Sequence, residues 1–207
     1  MTKEIAVGCM AVCAGVLLAT MTSVYADHAA TGKGTYAVAP QVSETRLRPV
    51  AEFHFVVARQ RLNPDLNLIV EPGLNFVQST IAGRDHRRLF QTFMISTALA
   101  PFDITTEPAG RTVTIKGELV STTFLEAGSE RQQFAELVTF TAIGVDTRTS
   151  EPGTDRFSLI IAYSAKQDQG PLFAALGFGD CDAETCTITF AGQVKTGNVF
   201  VHTTSGD

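Results

Sequence analysis

The chain has 207 residues, of which 44% are hydrophobic and 18% charged, with a formal net charge of −5. That apolar share supports a folded domain with a substantial core and excludes an intrinsically disordered chain. The acidic balance and the lack of a basic stripe speak against nucleic acid or an anionic membrane surface as partner.

The first 26 residues read as an export signal peptide. Lys3 opens it, an uncharged apolar run extends from Ile5 to Met21, and Val24-Tyr25-Ala26 supplies small residues before a cleavage point. An uncleaved anchor would need roughly 20 apolar residues, and Gly8, Gly15 and Thr20 dilute this run. Cys9 comes too early for a lipoprotein, and Met10-Ala11-Val12 is a poor lead-in to Cys13. A cleaved signal predicts a secreted, periplasmic or cell-surface protein in a disulfide-permissive setting. Removal of Cys9 and Cys13 would leave Cys181 and Cys186 as the one pair. After cleavage no apolar run approaches membrane-spanning length.

Residues 27–49 read as a short flexible linker, because Gly32, Gly34, Pro40 and Pro49 interrupt any period. From residue 50 to 207 the chain reads as a single β-domain. Ala51–Arg61 alternates, with Phe53, Phe55 and Val57 on one face and Glu52, His54 and Ala58 on the other. Leu66–Val70, Leu74–Ala82 and Leu89–Leu99 follow as short strands separated by turn residues. Thr112–Thr123 places Val113, Ile115 and Leu119 together. Gln133–Asp146 is the longest run and is apolar on both faces, as a central strand is. Arg156–Tyr163, Thr185–Ala191 and Asn198–His202 complete the series, and Pro171–Leu176 can make one helical turn. Short strands with Gly/Pro punctuation predict an all-β antiparallel barrel or barrel-like sandwich.

Motifs for chemistry are sparse. Cys181 and Cys186 bracket Asp182-Ala183-Glu184-Thr185, which predicts a disulfide across a tight loop. The spacing is too wide for a Cys-x-x-Cys redox pair, and no second ligand pair follows for zinc. Asp180-x-Asp182-x-Glu184 starts like a calcium loop, but Thr185 and Ala191 stand where the invariant Gly and Glu would be needed. Gly177-x-Gly179 lacks the third Gly and the following helix of a phosphate loop. Glu151-Pro152-Gly153-Thr154-Asp155 is turn chemistry, with a cation site from Asp146, Glu151 and Asp155 as the alternative use of its carboxylates. Arg84-Asp85-His86-Arg87-Arg88 is the one basic cluster, read as a solvated turn with an anionic ligand or a partner surface as the alternative. There is no Gly-x-Ser-x-Gly elbow and no His-Glu-x-x-His. His54, on the polar side of its strand, is the candidate ligand-binding or catalytic residue. No metal site, cofactor or assigned catalytic residue is expected.

Val138-Thr139-Phe140-Thr141-Ala142, the Glu151–Leu159 turn and strand, and Gly197-Asn198-Val199-Phe200-Val201-His202 together carry a family resemblance. They resemble the post-COAP domain of bacterial exported proteins, best over residues 133–202 and more loosely from residue 50. The resemblance implies a small β-domain at the C-terminal end of exported proteins and transfers no catalytic residue.

Three functions follow as expectations. The first is an exported, non-catalytic structural or binding module whose partner is a protein or a glycan. The second is a carrier holding a small apolar ligand in the barrel. The third is a barrel-mouth lyase or isomerase using His54.

Overall fold

The computed structural model describes residues 26–38, 50–60, 75–85, 88–127, 129–148, 153–164 and 180–203. All its elements are strands: β1 (Ala26–Ala37), β2 (Val50–Gln60), β3 (Phe76–Asp85), β4 (Arg88–Leu99), β5 (Asp103–Glu107), β6 (Gly110–Ala127), β7 (Glu130–Asp146), β8 (Arg156–Ser164), β9 (Asp180–Cys181) and β10 (Thr185–Thr203). Eight of them form a closed antiparallel barrel in the order β1-β2-β3-β4-β6-β7-β8-β10, sealed by pairing of β1 with β10. The short strands β5 and β9 lie outside the ring, on β6 and β10. No helix among the described residues is long and apolar enough to cross a membrane.

Period-two alternation decides what fills the barrel. Phe53, Phe55 and Val57 of β2, Val113, Ile115 and Leu119 of β6, Val138, Phe140 and Ala142 of β7, and Phe157, Leu159 and Ile161 of β8 all point inward and are buried. In this interior, the Phe53 and Phe157 rings stack at 4.2 Å between centroids and 7° between planes. Phe55 lies parallel to both, at 6.2 Å and 6.0 Å. Tyr36 meets Phe53 and Phe157 edge-on, at 5.9 Å and 5.4 Å. Such ring pairs add roughly 0.5–1.5 kcal/mol each beyond area burial.

The rings fit because the strand beside them is small. Ala30 and Gly32 of β1 face inward opposite β2, and a Cβ on Gly32 would run into the Phe55 ring. Across the interior, a Cβ on Gly144 would sit 3.1 Å from Phe55 Cζ and 3.1 Å from Val199 Cγ1. This pattern corrects the expected linker. Its first part is β1, which pairs with β2 from Ala26↔Gln60 to Ala37↔Val50 and with β10 from His28↔Thr203 to Tyr36↔Val194. The Ala, Gly and Thr residues that make 26–37 look like a linker are what a strand lying on large aromatic rings requires. Residues 39–49 lie outside the described residues.

Two further differences from the sequence reading are physical. Thr185–Ala191 and Asn198–His202 are one strand, β10, of 19 residues. It continues through Gly197 at φ 83°, where a Cβ would strike the carbonyl oxygen of Lys33. β10 also carries a bulge, with Lys195 as the extra residue opposite the Thr35–Tyr36 step of β1. The expected run Thr112–Thr123 extends to Gly110–Ala127, because β6 pairs with β7 from Arg111↔Asp146 to Ala127↔Glu130. The expectations for Leu66–Val70, Pro171–Leu176 and Gly177–Gly179 fall outside the described residues.

Gly32→Val should force the Phe55 ring from its place and cost about 1–3 kcal/mol, as overpacking a tight core does. Phe157→Ala should cost about 3–5 kcal/mol by leaving a cavity at the centre of the stack. Denaturant unfolding of each variant checks both, and an unchanged midpoint for Phe157→Ala would show that the stack does not hold the barrel.

Candidate functional site

A groove of about 620 Å³ opens on the outer wall of the barrel. Strand register builds it. Asn198, Lys33, His54 and Gln78 are cross-strand neighbours on β10, β1, β2 and β3. Thr196, Thr35, Glu52 and Thr80 form the parallel row beside them. These side chains alternate with the inward residues Phe53 and Ser79, so they face out. Gly34, Gly197, Phe53 and Ser79 complete the lining; a Cβ on Gly34 would point inward, toward Val194 and Phe53. The Thr35 and Thr196 hydroxyls are 2.7 Å apart and hydrogen-bonded. Ser79 Oγ donates to the Glu52 carbonyl at 2.9 Å, tying the floor of the groove to β2.

His54 therefore lies in a concave site, but on the wall of the barrel. It is half-buried, with its ring edge-on to Phe76 at 4.8 Å and 89°. Lys33 and Gln78 are its register neighbours, and Glu52, exposed, is two positions along the same face. The polar groove residues are the side of β1–β3 opposite Phe53 and Phe55, which alternation could have revealed. Lys33 and Thr35 were missed because their strand was read as a linker.

The carboxylates Asp146 and Asp155 come together at one end of the barrel, where β10 runs past the start of β8. Asp146 Oδ1 accepts from the Arg148 amide at 2.8 Å, and its Oδ2 accepts from the Val201 amide at 2.9 Å. Asp155 Oδ1 accepts from the Thr147 amide and hydroxyl, both at 3.1 Å, and its Oδ2 accepts from the Val199 amide at 2.9 Å. Arg111 Nη1 donates to the Val201 carbonyl at 3.0 Å, and the Asp155 carbonyl accepts from the Val194 amide at 2.9 Å. The two side chains thus do for β10 what a neighbouring strand would do. All four carboxylate oxygens accept protein hydrogen bonds. Gly153 takes φ 83°, as a Pro-Gly turn requires, and Arg148 takes φ 56°. Glu151 and Pro152 lie outside the described residues. No group of three or more His, Cys, Asp or Glu among the described residues is arranged to hold a metal.

Cys181 and Cys186 form a disulfide with S–S 2.03 Å and Cα–Cα 4.0 Å, between directly paired residues of β9 and β10. So short a loop stabilises by roughly 2 kcal/mol in the chain-entropy account. Asp182 caps the turn inside it, accepting from the Glu184 and Thr185 amides at 2.8 Å and 2.7 Å. Those two bonds, the Thr185 bond foremost, hold its carboxyl below the ordinary range. The disulfide implies an oxidising compartment.

At the opposite end, Glu136 of β7 shares the inward face of Val138 and Phe140 and is half-buried. Burial holds its carboxyl above the ordinary range. Tyr163 is pushed up too, by burial first and by the nearby Glu136 charge second, and its buried hydroxyl has no hydrogen-bond partner.

No protein-family model, curated protein or solved structure matches this chain.

Two predictions follow from these groups. Asp146→Asn or Asp155→Asn turns an amide NH₂ toward a backbone N–H and should cost about 1–3 kcal/mol. Hydrogen exchange should accelerate at the Val201 and Val199 amides respectively, and unchanged protection there would refute the strand-substitute role. For Glu136 the folded chain holds the proton more tightly than the unfolded chain. Its contribution is thus full below the ordinary carboxylate range and is lost as pH rises through the raised value. Glu136→Gln should abolish that decline in a stability–pH profile and let the Tyr163 phenol ionise at lower pH, read by ultraviolet difference titration.

Proposed function

We propose that this chain is an exported, non-catalytic module in which the barrel is a scaffold and its outer wall is the recognition surface. The observation that carries this reading is the occupied interior. Tyr36, Phe53, Phe55 and Phe157 pack against one another inside the barrel and take up space that a carried ligand would need. That packing supports a scaffold over an apolar-ligand carrier. The placement of His54 on the outer wall, away from the barrel mouth, supports binding over a mouth-based lyase or isomerase.

Export rests on the Met1–Ala26 leader and agrees with the Cys181–Cys186 disulfide. Signal cleavage after Ala26 would leave β1 almost whole, with the barrel's first strand starting at the new terminus. A barrel that spans a membrane carries its apolar band outside. Here Lys33, Glu52, His54, Gln78 and Lys116 are on the outside and most apolar side chains fill the inside, while Ile95, Val120 and Leu137 form one exposed apolar row across β4, β6 and β7 rather than a band around the barrel. The reading agrees with what the post-COAP resemblance implies and stands without it.

Native mass spectrometry of protein purified from an exporting host tests it. The expected species begins at Asp27, carries the disulfide and holds no small apolar molecule. A stoichiometric apolar ligand that survives desalting would overturn the scaffold reading in favour of the carrier.

A further inference from the structure

We infer that the outer-wall groove is a carbohydrate subsite that accepts an N-acetylhexosamine, an inference that rests on the recognition-module reading above. Its volume of about 620 Å³ lies within the range of ligand pockets, roughly 300–1,000 Å³. Its charge is nearly balanced, one lysine against one glutamate beside a histidine, which suits a neutral polyhydroxyl better than a polyanion. Planar amides stand at both ends of the central row, Asn198 on β10 and Gln78 on β3, and each both donates and accepts. With strands spaced roughly 4.8 Å apart, that row spans about 14 Å, the reach of a short oligosaccharide. The second row adds the Thr35, Thr80 and Thr196 hydroxyls and the Glu52 carboxylate.

A sugar also presents an apolar C–H face and, if acetylated, a methyl group. The groove has a matching margin. Phe200, Thr31, Val56 and Phe76 form the next register row, directly beside Asn198, Lys33, His54 and Gln78. Phe200 is the most open aromatic of this row, 56% exposed. The Phe76 ring fixes His54 at the boundary between the two rows. Dense two-way hydrogen bonding next to an aromatic margin is the chemistry that tells an N-acetylated pyranose from an ion or a lipid tail.

The test is titration of the leader-processed, oxidised protein with N,N′,N″,N‴-tetraacetylchitotetraose, followed by calorimetry and by amide chemical shifts. Saturable binding is expected, with shifts confined to β1, β2, β3 and residues 196–200. Gln78→Ala and Asn198→Ala should each weaken it roughly tenfold, the loss of about one buried hydrogen bond. Gln133→Ala, on a distant part of the wall, should leave it unchanged. All three positions are exposed, so circular dichroism should report an intact barrel. Binding with shifts elsewhere would overturn the groove assignment and leave the module reading standing. No binding of the tetrasaccharide, with Gln78→Ala and Asn198→Ala abolishing cross-linking to an envelope protein, would overturn the carbohydrate class and leave the module reading standing. No binding, with an apolar ligand found inside the barrel by mass spectrometry, would overturn both.

Discussion

Everything in this barrel is arranged around the parallel contact between Phe53 and Phe157. These rings come from β2 and β8, strands that are not neighbours in the ring, and they meet face to face at 4.2 Å. An eight-stranded barrel has an interior just wide enough to be filled by side chains. Filling it with stacked aromatics sets the demands on the surrounding strands. β1 must be nearly bare on its inner face, hence Ala30 and Gly32, and β7 must carry Gly144 where Phe55 arrives. The same rings bury the hydroxyl of Tyr36 near Ser79, and burial pushes that phenol far above its ordinary range. Tyr36 in turn supplies the edges that meet the stacked rings.

The second constraint is closure. A barrel has no free edge only if each strand finds two partners along its length. β10 is longer than β8, so its later half outruns its neighbour. The gap is bridged by side chains: Asp155 and Asp146 take the Val199 and Val201 amides, and Arg111 takes the Val201 carbonyl. What looks in sequence like an acidic, metal-friendly turn is an edge seal made of carboxylates. The groove is a by-product of the same geometry. Gly197 and the β10 bulge at Lys195 lie where β1 meets β10, and the polar faces of β1 to β3 surround the depression.

Much of the fold was legible because inward and outward residues alternate cleanly in β2, β6, β7 and β8. Phe53/Phe55/Val57 and Phe157/Leu159/Ile161 announce their buried faces without any tertiary knowledge. The Cys181–Cys186 bridge was legible because two cysteines around a turn have few other uses. β1 was not legible. Its inner positions are small because something else is large, and that dependence on Phe55 is absent from local composition. β5 was missed for a related reason. Its five residues, Asp103–Glu107, are mostly exposed and carry no apolar alternation. For the site, His54 was legible as a polar-face residue. Its companions Lys33, Thr35, Thr196 and Asn198 come from the two strands nearest the chain ends, and only the β1–β10 register brings them to it.

That same register fixes how the barrel responds to tension. His28 pairs with Thr203, so β1 begins beside the point where β10 finishes, and the two run antiparallel from there to Tyr36 and Val194. A load entering at those two points peels the strands apart one rung at a time, instead of shearing a whole ladder at once. Loaded at those two points, the seam that completes the cylinder opens in this unzipping geometry, and it runs along one margin of the groove. Traction on a tethered molecule would unzip the wall there first, splitting Lys33 from Asn198 and Thr35 from Thr196 while the aromatic centre is still packed.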